Sequence, residues 1–95
     1  MQEKMTQLKT RLREIYDINS VISLLGWDQS TYMPDAAAVS RGSQSAALGK
    51  IAHEKLTDPG LGKLLEELKP YEESVPYESD DASLLRITRR EFTEA

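Results

Sequence analysis

At 95 residues, with 39% hydrophobic positions and a formal charge of -4, the chain is one small domain or a portion of a larger one, and a chain of this size buries only about two-thirds of its unfolded surface. It has no long apolar run and no charged-then-apolar leader, so neither a transmembrane helix nor a signal peptide is expected and the chain reads as soluble and cytoplasmic. The absence of cysteine excludes disulfides and thiolate metal ligands, and a sequence pI near 5.0 works against a phosphate-binding surface, so neither nucleic acid nor membrane is an expected partner.

The pattern predicts an all-α fold of about four helices in an antiparallel hairpin or bundle, at about 3–27, 36–56, 59–69 and 80–94, with a loop over 70–79. In the first, Met5, Leu8, Leu12, Ile15, Ile18, Ile22 and Leu25 recur at intervals of three and four. Its beginning is narrow-striped, with Lys4, Lys9, Arg11 and Arg13 on the back. From Ile15 onward Val21, Leu24 and Leu25 widen the stripe, so contact on more than one side is expected there.

Asp28 to Asp35 reads as a connection, because Pro34 pushes Met33 away from helical dihedrals, and Asp35 then serves as an N-cap. The segment that follows mixes alanines with Val39, Leu48, Ile51 and Leu56 and reads as helix despite Gly42 and Gly49. Each interior glycine costs about 1 kcal/mol relative to alanine. Close approach of a neighbouring helix is the expected compensation, with flexibility as the alternative.

Thr57, Asp58 and Pro59 mark a stop and restart, with Asp58 as cap and Pro59 in the first turn. Leu61, Leu64, Leu65 and Leu68 then share one face, Lys63, Glu66, Glu67 and Lys69 take the other, and Pro70 is expected to end the helix. A last helix starts near Asp80 or Asp81, whose charges favour a helix N-terminus, and carries Leu84, Leu85, Ile87 and Phe92. Its pattern meets no terminating residue before Ala95, which fits both truncation and ordinary fraying.

Little of this pattern points to chemistry within the chain. His53 and Glu54 invite comparison with the helical zinc motif His-Glu-x-x-His, but the position of the second histidine is Thr57. They read instead as polar positions near a helix end. Glu66–Glu67, Glu72–Glu73 and Asp80–Asp81 are sequence neighbours, which do not face each other on a helix, so none forms an acid/base pair. Ser40, Ser43 and Ser45 lack a suitable base, and no glycine loop cradles a phosphate. Arg86, Arg89 and Arg90 sit among Asp80, Asp81, Glu91 and Glu94 and read as a solvated face with i,i+3 and i,i+4 pairing. No catalytic and no metal-binding residue is assigned.

One segment is unusual. Leu24 to Pro34, LLGWDQSTYMP, holds the only tryptophan together with Asp28, Gln29, Tyr32 and a Met-Pro pair. On spacing alone it is a helix end whose aromatics plug the core. As a string, however, it resembles the N-terminal region of the Taq-type metallocarboxypeptidases, the thermostable zinc carboxypeptidase family. There a helix ends in Trp-Asp-Gln, followed by Thr and then Met-Pro. The likeness continues through Arg41 and Gln44, through Ile51, Ala52, His53 and Glu54, through LTDPGLGKLLEEL, and through the closing LLRITRREF.

The resemblance implies a far longer all-helical zinc peptidase that removes single amino acids from peptide C-termini, of which this chain is the N-terminal cap or groove-wall portion. It implies zinc in the parent, polarising the scissile carbonyl while a glutamate deprotonates the bound water, but no cofactor in this chain, which lacks a second histidine. The rest of the parent peptidase is then the partner, a homodimer is the implied assembly, and peptide substrate is met only in the full enzyme. Trp27, Asp28, Gln29, Thr31, Met33, Pro34 and Arg41 carry the family signature and are expected to be structural, anchoring the first helix to the second.

The alternative is a free-standing helical oligomerisation or protein-interaction module. Leu8, Ile15 and Ile22 stand seven apart, as do Met5 and Leu12, which is coiled-coil spacing interrupted by Asn19. Both readings lead to an expected dimer or swapped assembly of the isolated chain.

Overall fold

A computed structural model describes the backbone of residues 2–31 and 35–95, and the side chains of residues 2–26 and 42–95. Among these residues five helices follow in chain order: α1 (Gln2–Thr31), α2 (Asp35–Leu56), α3 (Pro59–Glu67), α4 (Lys69–Ser74) and α5 (Asp80–Glu94). The fold is all-α, with no strand among the described residues.

α1 has 30 residues, about 45 Å of helix at 1.5 Å per residue, and so runs most of the length of a molecule measuring 54 × 25 × 23 Å. Met5, Leu8 and Leu25 are buried, and Leu12, Ile15, Ile18 and Ile22 are half-buried. The spacing of three and four thus defines the inward face along its full length. The helix passes Trp27 and continues to Thr31, into the segment expected as a connection. No glycine or proline lies between Trp27 and Pro34, so nothing local stops propagation before the residues constrained by the proline.

α2 returns antiparallel to α1. Two ion pairs mark the register: Arg11 with Asp58, just past the end of α2, at 3.1 Å, and Lys55 with Glu14 at 3.0 Å. Carried along the hairpin, this register sets Ile18 abreast of Ile51, Val21 of Leu48 and Leu25 of Gln44. The seam on α2 is Ser45, Leu48, Ala52 and Leu56, all buried or half-buried. Gly42 and Gly49 lie beside that seam, and a Cβ added to either meets nothing within 4 Å. The close helix approach expected at these glycines is therefore not made by any described part of this chain.

A cap and a proline start α3. The Asp58 side chain accepts a hydrogen bond from the Gly60 amide at 3.0 Å, and Pro59 occupies the first turn, where its missing N–H is not needed. Leu61, Leu64, Leu65 and Leu68 are all buried. The end of the helical path expected at Pro70 does not occur: the path is only interrupted at Leu68 and resumes as α4. The Leu68 amide still donates to the Leu64 carbonyl, the Leu68 carbonyl accepts from Glu72, and Pro70 enters the first turn of α4. Much of the stretch 70–79 expected as a loop is thus helical, and the irregular connection narrows to 75–79. Ser79 caps α5 by accepting from the Ala82 amide at 3.3 Å, with Asp80 and Asp81 in the first turn.

The core lies at one end of the molecule. It joins Met5 and Leu8 of α1, Leu61, Leu64 and Leu65 of α3, Leu68, and Leu85 of α5, with Leu12, Leu56, Tyr71 and Phe92 packed around it. Thr88 is buried there as well, its hydroxyl donating to the Leu84 carbonyl at 2.7 Å. The close glycine approach is at Gly62, where an added Cβ would lie 2.6 Å from the tip of the Phe92 ring. Beyond this end α1 has only α2 beside it. Val21 and Leu24, expected to be covered on a second side, are 47% and 59% exposed.

Candidate functional site

Among the described residues, no three of the histidines, aspartates and glutamates are grouped to hold a metal ion. His53 and Glu54 are exposed in the last turn of α2, where the His53 carbonyl accepts from both the amide and the hydroxyl of Thr57. No described helix is long and apolar enough to cross a membrane.

The ordered polar chemistry belongs to the inner end. Lys4 pairs with Glu67, Lys9 with Asp81 at 3.1 Å, and Arg11 with Asp58, so three cations of α1 each hold an acid from the α3–α5 side. Asp81 also accepts from the Tyr71 hydroxyl at 2.7 Å, which ties α4 to the same point. Hydrogen bonds from Tyr71 and Lys9 hold the Asp81 carboxyl below its ordinary pKa, and the same bond to Asp81 pushes the Tyr71 phenol up. The Gly60 amide and Arg11 lower Asp58, and Lys4 lowers Glu67. These groups are all partly solvated, so screening keeps each contribution small. Their role is to orient α1 on the core.

Arg86 and Arg89 of the arginine cluster are also occupied, mostly by partners other than the anticipated helical neighbours. Arg86 stacks 3.8 Å above the Tyr77 ring and donates to the Tyr77 carbonyl at 2.9 Å; its bond to Ser83 has the i,i+3 spacing. Arg89 donates to Glu72 at 2.6 Å and to the Leu65 carbonyl. These bonds fasten α4 and the 75–79 turn to α5. A tyrosine or acid just ahead of an arginine-bearing helix was the available signal, but sequence spacing does not reveal how the intervening turn folds.

The signature residues lie toward the far end of the α1–α2 hairpin. Trp27, Asp28, Gln29 and Thr31 occupy the final turns of α1, and Arg41 is within α2. Their side chains, and Met33 and Pro34 altogether, lie outside the described residues. On the described parts of the same two helices, Val21, Leu24 and Ile51 are exposed.

The class defined by this arrangement is an all-α unit whose described side chains pack and pair, with a charged, cored end and a bare two-helix end. The sequence pattern of the family described as carboxypeptidase Taq (M32) metallopeptidase matches residues 7–95, and the chain belongs to that family. It is 34% identical over 83 residues to thermostable carboxypeptidase 1 of Thermus thermophilus, covering 87% of this chain and 16% of that protein. With thermostable carboxypeptidase 1 of Pyrococcus furiosus it shares 32% identity over 76 residues, covering 80% of this chain and 15% of that protein. Both matches fall in the N-terminal region of the relatives. The chain thus spans less than a fifth of the length of the curated relatives it matches. No solved structure matches it significantly.

Proposed function

We propose that this chain is the N-terminal cap or groove-wall portion of a zinc-dependent carboxypeptidase that releases C-terminal amino acids from peptides, and that the metal ligands lie in the remainder of that enzyme. The observation that carries this reading is the family match over residues 7–95, set beside its short reach along each relative. The donor set agrees with it. The sequence offers one histidine and no cysteine, His53 is exposed, and no described carboxylates gather around it, so these residues do not fit a zinc site and no catalytic step is assigned to them. The signature residues Trp27, Asp28, Gln29, Thr31, Met33, Pro34 and Arg41 serve, in this reading, to anchor the first helix to the second.

Leu8, Ile15 and Ile22, whose seven-residue spacing suggested a free-standing interaction module, are at least half-buried within the chain. Leu8 is in the core, and Ile15 and Ile22 lie on the face of α1 turned to α2. This favours the peptidase reading.

Peptide hydrolysis and metal content together test the proposal. The purified chain, supplied with zinc, is expected to release no C-terminal amino acid and to retain no stoichiometric metal. Recombination with the metal-bearing remainder of the parent is expected to restore release. One tightly bound zinc per chain, or hydrolysis by the chain alone, would overturn it.

A further inference from the structure

We propose that the outer half of the α1–α2 hairpin is an insertion surface, enclosed on both flanks by the remainder of the parent peptidase, while the α3–α5 end stands on its own core. The idea rests on the reading above of the chain as part of a longer enzyme.

The first support is a coincidence of two separate sequence stretches. No acidic or basic residue occurs from Ile18 to Trp27, and none from Gly42 to Gly49. The hairpin register brings these two stretches abreast, so charge is missing from both helices over the same length. In contrast, the part of α1 before them carries Glu3, Lys4, Lys9, Arg11, Arg13, Glu14 and Asp17. An exposed two-helix arm would normally carry charge on its outer faces.

The second support is what occupies those faces. The α1–α2 seam is already filled by Ile18, Ile22 and Leu25 against Ser45, Leu48 and Ala52, so Val21, Leu24 and Ile51 are surplus to it. Helical geometry puts these three on one flank of the hairpin and Gly42, Ala46 and Gly49 on the other. The apolar flank offers side chains to bury. The small-residue flank offers relief, since no described atom lies within 4 Å of a Cβ built on Gly42 or Gly49. Ser20, exposed between Tyr16 and Leu24, already donates its hydroxyl to the Tyr16 carbonyl at 2.9 Å, which lowers the cost of drying that face.

The third support is the amount of protein available to cover the surface. The relatives are far longer than the matched region, which makes up 16% and 15% of them. One two-fold contact with a second copy would cover one flank, whereas a larger helical body can enclose both. That favours the remainder of the parent over self-pairing.

Thiol protection tests this directly, because the chain contains no cysteine of its own. Leu24→Cys probes the apolar flank and Ala46→Cys the small-residue flank. Each is made in the isolated chain and in the full-length parent enzyme, and labelling by a small alkylating reagent is followed on the peptide carrying the substitution. In the isolated chain both thiols are expected to react within about tenfold of their rate in denaturant, as solvent-facing positions do. In the full-length enzyme both are expected to slow by about a hundredfold or more. Equal rates in chain and full-length enzyme, at either position, would overturn the proposal. So would protection in the isolated chain that grows with its concentration, since the occupant would then be a second copy. Peptide hydrolysis by the unsubstituted full-length protein is measured alongside. Its absence defeats the peptidase reading itself, whereas hydrolysis with unprotected thiols defeats only the insertion.

Discussion

The two ends of α1 carry the same inward spacing and have different neighbours. At the inner end Met5 and Leu8 are 2% and 0% exposed, because α3 and α5 close over them and the Lys4, Lys9 and Arg11 pairs fix the approach. At the outer end the stripe meets α2 alone: Leu25 is still buried, but Val21 and Leu24 beside the stripe stay 47% and 59% exposed. A helix can therefore be regular over 30 residues while only its inner end is covered by more than one neighbouring helix. The lesson is that periodicity reports which residues want burial, and the surrounding elements decide which of them obtain it.

The sharpest way to break this comparison is to truncate one leucine at each end. Leu61→Ala removes a side chain that is 0% exposed at the centre of the core and is expected to cost about 2–5 kcal/mol, a large share of a small domain's stability. Leu24→Ala, on the open flank of the arm, is expected to stay within about 0.5 kcal/mol in the isolated chain. Urea unfolding followed by circular dichroism measures both. Similar losses at the two positions would mean that the outer half is already packed in the free chain.

Acid provides a gentler probe of the inner end. Asp58, Glu67 and Asp81 all have pKa values lowered in the folded state, so their contribution is present above their unfolded values and is lost as pH falls through the folded ones. Melting temperature is expected to hold from pH 7 down to roughly pH 4 and then to fall. Asp81→Asn, which removes the shared acceptor of Lys9 and Tyr71, is expected to start lower and to fall less steeply. A wild-type melting temperature unchanged down to pH 3 would show that these pairs do not hold α1 in place.

Much of the fold was legible in the sequence where a local rule governs it. The stripe from Met5 to Leu25, the Asp58–Pro59 start and the Leu61–Leu68 face all follow from the helical period, a capping side chain and a proline suited to a first turn. The departures occur where tertiary partners or the limits of a rule decide. α1 passes Trp27 because composition alone does not break a helix. Pro70 does not end the path because the Leu68 carbonyl still finds the Glu72 amide. Small size at Gly42 and Gly49 signalled close approach, yet the contact is made at Gly62, where the ring of Phe92 happens to arrive. The family was legible in the ordered succession from Trp27 to the arginine-bearing last helix. The chemistry of the family was not, since the chain carries a single histidine and no cysteine.

Residue-resolved amide hydrogen exchange on the isolated chain tests the central contrast most directly. Slow exchange is predicted for the amides of Leu8–Leu12 and Leu64–Leu68, reflecting global unfolding, with exchange faster by orders of magnitude from Ile18 to Gly26 and from Gly42 to Ile51. Uniform protection along the whole of α1 would contradict the account, because the outer half of the hairpin would then be as self-sufficient as the inner.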